Sequence, residues 1–99
     1  MNTTKADLVE KIAKSTGISK VDTKIVVDGV ISSIIEAIAE GNKVELRGFG
    51  VFNSKKRKPR QARNPRTGDT VELKERYVPI FKSSTDFTNK VDNKLSNKN

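Results

Sequence analysis

The spacing of apolar residues along the chain switches from helical to alternating and back to helical, and each switch marks a new element. Thr4 followed by Asp7 is a capping-box-like start, and Leu8, Ile12 and Ala13 then recur at helical spacing until Gly17 supplies a stop. Ser19 with Asp22 repeats the device. Val21, Ile25, Val27, Val30, Ile31, Ile34, Ile35 and Ile38 follow before Gly41 closes a second, longer helix. Its β-branched residues lower intrinsic helix propensity, so this helix depends on burial over more than one face. The pattern predicts a helical hairpin over residues 3–41. The second helix is expected to find a partner outside this chain; the alternative is that the sheet of the same chain covers it.

After Gly41 the period becomes two. "KVELRGFGVFNS" alternates Val44 and Leu46 with polar neighbours, turns at Gly48 to Gly50 and resumes with Val51 and Phe52, as a hairpin does. "TVELKERYVPIF" alternates Val71 and Leu73 with Glu72 and Lys74, then ends in the more apolar Val78, Ile80 and Phe81. These segments predict sheet over 43–54 and 76–82. Ser83 or Ser84 can cap a last helix over 84–96, whose Phe87, Val91 and Leu95 form a narrow apolar stripe, and the closing "SNKN" is expected to fray.

Between the two sheet segments lies a stretch with no apolar pattern at all. Lys55, Lys56, Arg57, Lys58, Arg60, Arg63 and Arg66 fall in a run that contains no acid. On one uninterrupted strand, Lys55, Arg57 and Arg63 would share one face and Lys56, Lys58 and Arg60 the other, leaving no face to bury. Asn64-Pro65-Arg66-Thr67-Gly68 supplies a tip: Asn suits the first place of a type I turn, Pro presets the second, and Gly68 lets the chain return. Residues 55–75 therefore predict a two-stranded arm. Ten residues a side at about 3.3 Å each would carry it about 30 Å outward. An isolated cationic ribbon is marginal in water, so the arm is expected to be mobile until an anion orders it. Pro65 admits two readings, a turn-maker or a wedge that enters between base pairs while neighbouring guanidinium groups hold phosphates. Pro59 cannot donate to a ladder and needs a free edge or a bulge.

Composition narrows the chemistry. The chain has 99 residues, 5% aromatic content and no Trp, too little from which to build a large independent core, so association with a second copy is expected. It carries 20 Lys and Arg against 12 Asp and Glu, a formal +8 that suits a polyanionic partner. Outside the arm the remaining 13 basic residues nearly balance the 12 acids. The excess charge is the arm's. With no Cys there is no disulfide framework, and with no His the commonest general base and zinc ligand is missing. No enzyme activity, cofactor, metal, small-molecule substrate or membrane partner is expected, and the protein is expected inside a cell.

"GFGVF" at 48–52, the spaced Arg57, Arg60 and Arg63, "RNPRTGD" at 63–69 and "VPIFKSS" at 78–84 resemble the bacterial HU and integration host factor family, and the similarity runs over nearly the whole chain. The resemblance implies an α+β fold: an intertwined dimer with a helical base, an antiparallel β saddle and long β-ribbon arms that clasp the minor groove of double-stranded DNA. Residue by residue, Pro65 matches the intercalating wedge, Arg63 and Asn64 the arm tip, and Arg57 and Arg60 the arm residues that follow groove and backbone; Lys55, Lys58 and Arg66 of the same basic run are expected to contact DNA as well. Arg47, Gly48 and Gly50 match a tight turn near phosphate, Arg76 adjoins the arm, and Lys82 lies on the saddle floor. Thr4 and Lys5 sit at a helix start that could meet phosphate, although capping alone explains Thr4. Ala62 stands where most relatives have glycine and Ser84 replaces another frequent glycine, which bears on arm geometry and bend angle.

The expected function is binding, bending and compaction of DNA with little dependence on sequence, in the cytoplasm at the nucleoid, by a homodimer. A site-specific bender resembling integration host factor, working as a heterodimer, is the nearest alternative. A basic RNA-binding protein is a further one, weakened by the lack of an aromatic stacking platform beyond Tyr77. Asp69, Glu72 and Glu75 read as a solvated ribbon face rather than a magnesium site.

Overall fold

A computed structural model describes residues 1–97; Asn99 and its neighbour at 98, on which part of the expected frayed end falls, lie outside the described residues. The fold is α+β, with element order α1 (Lys5–Thr16), α2 (Lys20–Ala39), β1 (Val44–Leu46), β2 (Gly50–Arg57), β3 (Arg60–Arg63), β4 (Thr70–Leu73), β5 (Arg76–Ser83) and α3 (Thr85–Ser96). It divides into two compact units, residues 1–36 and the chain from residue 37 onward.

In the first unit the capping box forms as the spacing predicts. The Thr4 hydroxyl accepts from the Asp7 N–H at 3.3 Å, and the Asp7 carboxylate accepts from the Thr4 N–H at 2.9 Å. These bonds, with the one from the Thr4 hydroxyl, hold the Asp7 carboxyl below the usual carboxylate range. Ser19 accepts from the Asp22 N–H at 3.1 Å and starts α2. Asp28 of α2 holds two lysines, Lys5 at 2.6 Å and Lys24 at 2.8 Å. Hydrogen bonds first from Lys24 and then from Lys5 lower its pKa. Very little is buried: Val9, Ala13 and Thr23. The apolar residues of α2 stand open, Val21 70% and Ile25 65% exposed, with Val26, Val30, Ile31 and Ile35 exposed beside them. A helix this rich in β-branched residues is not stable on propensity alone, so its exposed stripe is the part of the chain most in need of a partner.

The second unit is a three-stranded antiparallel sheet in the order β1-β2-β5, a separate two-stranded ladder β3-β4, and α3. Gly48, at φ 82, makes the turn between β1 and β2, where Phe49 N–H donates to Leu46 C=O. Ser84 caps α3 by accepting from the Phe87 N–H at 3.1 Å. Phe52 and Phe81 face each other across β2 and β5 with ring centroids 4.7 Å apart, and Phe49 and Phe87 stack at 5.3 Å with 15° between their planes. Four phenylalanines thus form one aromatic cluster in this unit, although Phe49 and Phe81 remain partly open to solvent in the single chain. Gly50 is buried beneath them; a β-carbon there would collide with the Lys82 carbonyl and the Phe81 ring.

The arm differs from the single long ribbon that the sequence suggests. The β2-β5 ladder ends at Arg57↔Arg76, and β3-β4 begins at Arg60↔Leu73. Lys58 and Pro59 on one side and Lys74 and Glu75 on the other are unpaired, equal in number, so the register carries through without a slip.

What changes across this break is the phase of the bonding. Ser84 N–H donates to Phe49 C=O, a directly opposed pair in the β2-β5 register, so the hydrogen-bonded pairs of that ladder are the odd-numbered residues of β2. Pro79, opposite Ser54, accordingly falls at a pair that needs no N–H from it. At the tip Asn64 N–H donates to Asp69 C=O, which makes the even-numbered residues of β3 the bonded ones. Pro59 is odd-numbered and would have to bond Lys74 if the first phase continued. Its ring has no N–H to give. The ladder stops there and resumes in the opposite phase.

Candidate nucleic-acid interface

Chirality fixes which face of a ribbon a residue points to once its N–H and C=O face a given neighbour, so bonded pairs share one face and non-bonded pairs the other. On β2 and β5 the bonded face carries Val51, Asn53, Lys55 and Arg57 opposite Lys82, Ile80, Val78 and Arg76. Four of the expected contact residues, Lys55, Arg57, Arg76 and Lys82, are therefore together on the face that turns away from the phenylalanine core. The other face carries Phe52 and Phe81, then Lys56 and Tyr77.

In β3 and β4 the reversed phase puts Arg60 on the same ribbon face as Lys55 and Arg57, and Arg63 on the opposite face. The uninterrupted-strand expectation, with Arg63 beside Arg57 and Arg60 turned away, is corrected by the break at Pro59. Nor is the outer ribbon without an apolar side, because Ala62, Val71 and Leu73 lie on the face of Arg60, while Gln61, Glu72, Arg63 and Thr70 make the other face wholly polar.

The tip is built locally. The Asn64 side-chain oxygen accepts from Arg66 N–H at 2.9 Å, and Asn64 C=O accepts from Gly68 N–H at 2.8 Å, with Gly68 at φ 75. This closes a four-residue loop and leaves Pro65 and Arg66 exposed, the half-buried Asn64 serving as its base.

Among the described residues, Lys56 is the one arm cation in an ion pair, 3.1 Å from Glu75, and it lies on the aromatic face. Lys55, Arg57, Lys58, Arg60, Arg63 and Arg66 are exposed and make no ion pair among the described residues. Their charges face water. A surface of this kind neutralises phosphate without first breaking an internal bridge. Arg47 and Gly48 are exposed in the β1-β2 turn. Gly50 is not exposed, and its packing beneath Phe81 accounts for the residue without any ligand. In the first unit, Thr4 is used in the capping box and Lys5 is bonded to Asp28. Among the described residues no cluster of three or more His, Cys, Asp or Glu is placed to hold a metal ion, and no helix is long and apolar enough to cross a membrane.

A family model described as bacterial DNA-binding protein matches residues 3–92. The chain belongs to the bacterial DNA-binding protein family. Solved structures similar to it include an Anabaena HU–DNA cocrystal, 37% identical, with a TM-score of 0.83 over 90% of this chain and 97% of that one. HU from Thermotoga maritima is 29% identical, with a TM-score of 0.64 over 90% and 98% of the two chains. A mutant of transcription factor 1, solved in solution, is 25% identical, with a TM-score of 0.61 over 92% of each. The family's histone-like members are those to which this chain is most usefully compared, and their α+β architecture is the one described above.

Proposed function

We propose that the protein binds double-stranded DNA as an architectural protein of the nucleoid, bending and compacting it with little dependence on sequence. The observation that carries this reading is a ribbon whose exposed arginines and lysines have no internal counter-ions, in a chain of the bacterial DNA-binding family. The likeness to an HU chain crystallised with DNA supports it. In this reading Lys55, Arg57, Lys58, Arg60, Arg63 and Arg66 follow the groove and its phosphates, Asn64 and Pro65 form the tip, and Arg47, Gly48, Arg76 and Lys82 line the floor, while Gly50 serves the packing beneath them. Pro65 enters between base pairs and holds the bend.

The binding unit is a homodimer. Support comes from the exposed apolar stripe of α2 and from the small number of buried residues, which together leave the single chain short of a core. Because the minor groove offers a degenerate hydrogen-bond pattern, preference among duplexes follows deformability, and nicked or pre-bent DNA is favoured.

The test is a salt titration of affinity combined with energy transfer between the ends of a labelled duplex. Binding should weaken by about 0.9 log units per neutralised phosphate for each decade of salt, and the duplex ends should approach. Pro65→Ala should keep the salt slope and lose much of the approach. Salt-independent affinity, or a bound duplex that stays straight, contradicts the reading. A strong preference for one sequence selects the integration-host-factor-like alternative, and tighter binding to duplex RNA selects the RNA-binding one.

A further inference from the structure

Resting on the reading that this ribbon meets a polyanion, we propose that Arg57 and Arg76 together form a site for one phosphate group at the base of the arm, supplied by a duplex backbone or by a free oligophosphate. The two arginines oppose each other directly in the last rung of the β2-β5 ladder. Because the odd-numbered residues of β2 are the bonded ones, both side chains stand on the same face, with α-carbons about 5.5 Å apart. That spacing lets two guanidinium groups converge on one tetrahedral anion, each offering a fork of N–H donors.

Like charges placed directly opposite each other repel and weaken a ladder. Nothing within the chain relieves this rung. Arg57 and Arg76 are both exposed, and neither makes an ion pair among the described residues. Glu75, the carboxylate next to Arg76 in the chain, is bonded instead to Lys56, which lies on the opposite face. The opposed residues on the face of Arg57 include no acid, from Val51↔Lys82 in the inner ladder to Ala62↔Val71 in the outer one. One face of the arm's base thus has its counter-ion and the other does not. The rung is also the last before the break at Pro59, so its order decides whether the strands stay paired up to the break or fray short of it. An anion bridging Arg57 and Arg76 replaces repulsion between the strands by attraction, and the outer ribbon then starts from a fixed base.

The experiment titrates the full chain, without DNA, with inorganic pyrophosphate while chloride holds the ionic strength constant, and follows arginine Nε–H resonances and amide exchange. Arg57 and Arg76 should shift together and saturate at a single pyrophosphate, and their amides should exchange about threefold more slowly. Arg57→Gln and Arg76→Gln should each weaken uptake by about tenfold, because neither fork holds the anion alone. Arg76→Glu gives Arg57 an internal counter-ion, so uptake should vanish while the Arg57 amide is protected without pyrophosphate. Equal, unsaturable shifts at every arm arginine overturn the proposal, as does an Arg76→Glu protein whose ladder end frays as before. Duplex DNA should displace pyrophosphate from the unaltered protein, and a duplex that binds without displacing it also overturns the proposal. A protein that takes up pyrophosphate at this rung but binds no duplex keeps the site and fails the DNA-binding reading alone, so the two failures are distinct.

Discussion

The two ladders of one hairpin, β2-β5 and β3-β4, are held by different things. The inner ladder has eight opposed pairs and four phenylalanines against one of its faces. Its geometry follows from the packing of that aromatic cluster, and its charges other than Lys56 are passengers on the opposite face. The outer ladder has four opposed pairs, no aromatic residue and no ion pair among the described residues. An isolated two-stranded ribbon is marginal in water, and unneutralised cations make it more so. The inner ladder is therefore a scaffold, and the outer one is the element whose order we propose to depend on a ligand. Pro59 is where one regime gives way to the other.

The comparison breaks most sharply at Gly50. Gly50→Val pushes side-chain atoms into the Lys82 carbonyl and the Phe81 ring. The expected cost is about 3 kcal/mol of stability, at the upper end of overpacking effects, read from the midpoint of urea unfolding. No change in midpoint would mean that the phenylalanine core is not what holds the inner ladder. Arg57→Ala with Arg60→Ala should leave that midpoint alone. Affinity for duplex DNA should fall by about tenfold and the salt slope by about 1.8, two phosphates' worth. A shift in unfolding instead would make these arginines part of the scaffold.

Smaller effects sharpen the boundary between the regimes. Pro59→Val restores an N–H at the break, so the amides of Arg60 to Leu73 should gain up to about tenfold protection against exchange in the free protein. The preference for nicked over intact duplex should fall as the arm stiffens, and unaltered exchange would show that the proline is not what interrupts the ladder. The smallest effect is acid-dependent and lies in the first unit. Asp7 and Asp28 are both lowered in the folded protein, by the Thr4 bonds and by Lys24 with Lys5. A depressed carboxylate pKa contributes stability that is complete above the unfolded value of about 3.9 and is lost as pH falls through the folded value. Asp28→Asn should therefore lower stability slightly at neutrality, where the ionised carboxylate contributes, and converge with the unaltered protein as pH falls through the folded value, as measured by helicity against pH.

Local signals in the sequence were sufficient wherever structure is made locally. Thr4 and Asp7, Ser19 and Asp22, Ser84 and the Asn64 to Gly68 tip each form the cap or turn that their spacing implies. The apolar faces of α2 were legible too, and Val21, Ile25 and Val26 are exposed in the single chain. Features that depend on which strand meets which were not. Glu75 neutralises Lys56 because the register brings them together, and Lys5 is held by Asp28 from another helix. Pro59 was visible as a difficulty for a ladder, but the phase it imposes depends on bonds at two distant ends, Phe49 with Ser84 and Asn64 with Asp69. Spacing along a single strand carries no record of that, and so the face of Arg60 was misjudged. Gly50 read as a turn residue because its neighbour Phe81 is thirty-one positions away in the chain.

Amide hydrogen exchange, followed residue by residue with and without a short duplex DNA, tests the contrast between the ladders most directly. In the free protein the amides of Val51 to Lys55 should be protected and those of Arg60 to Leu73 should exchange rapidly; on adding DNA the outer set should become protected while the inner set barely changes. Outer amides that are already protected without DNA, or that stay unprotected when DNA is bound, would contradict the account.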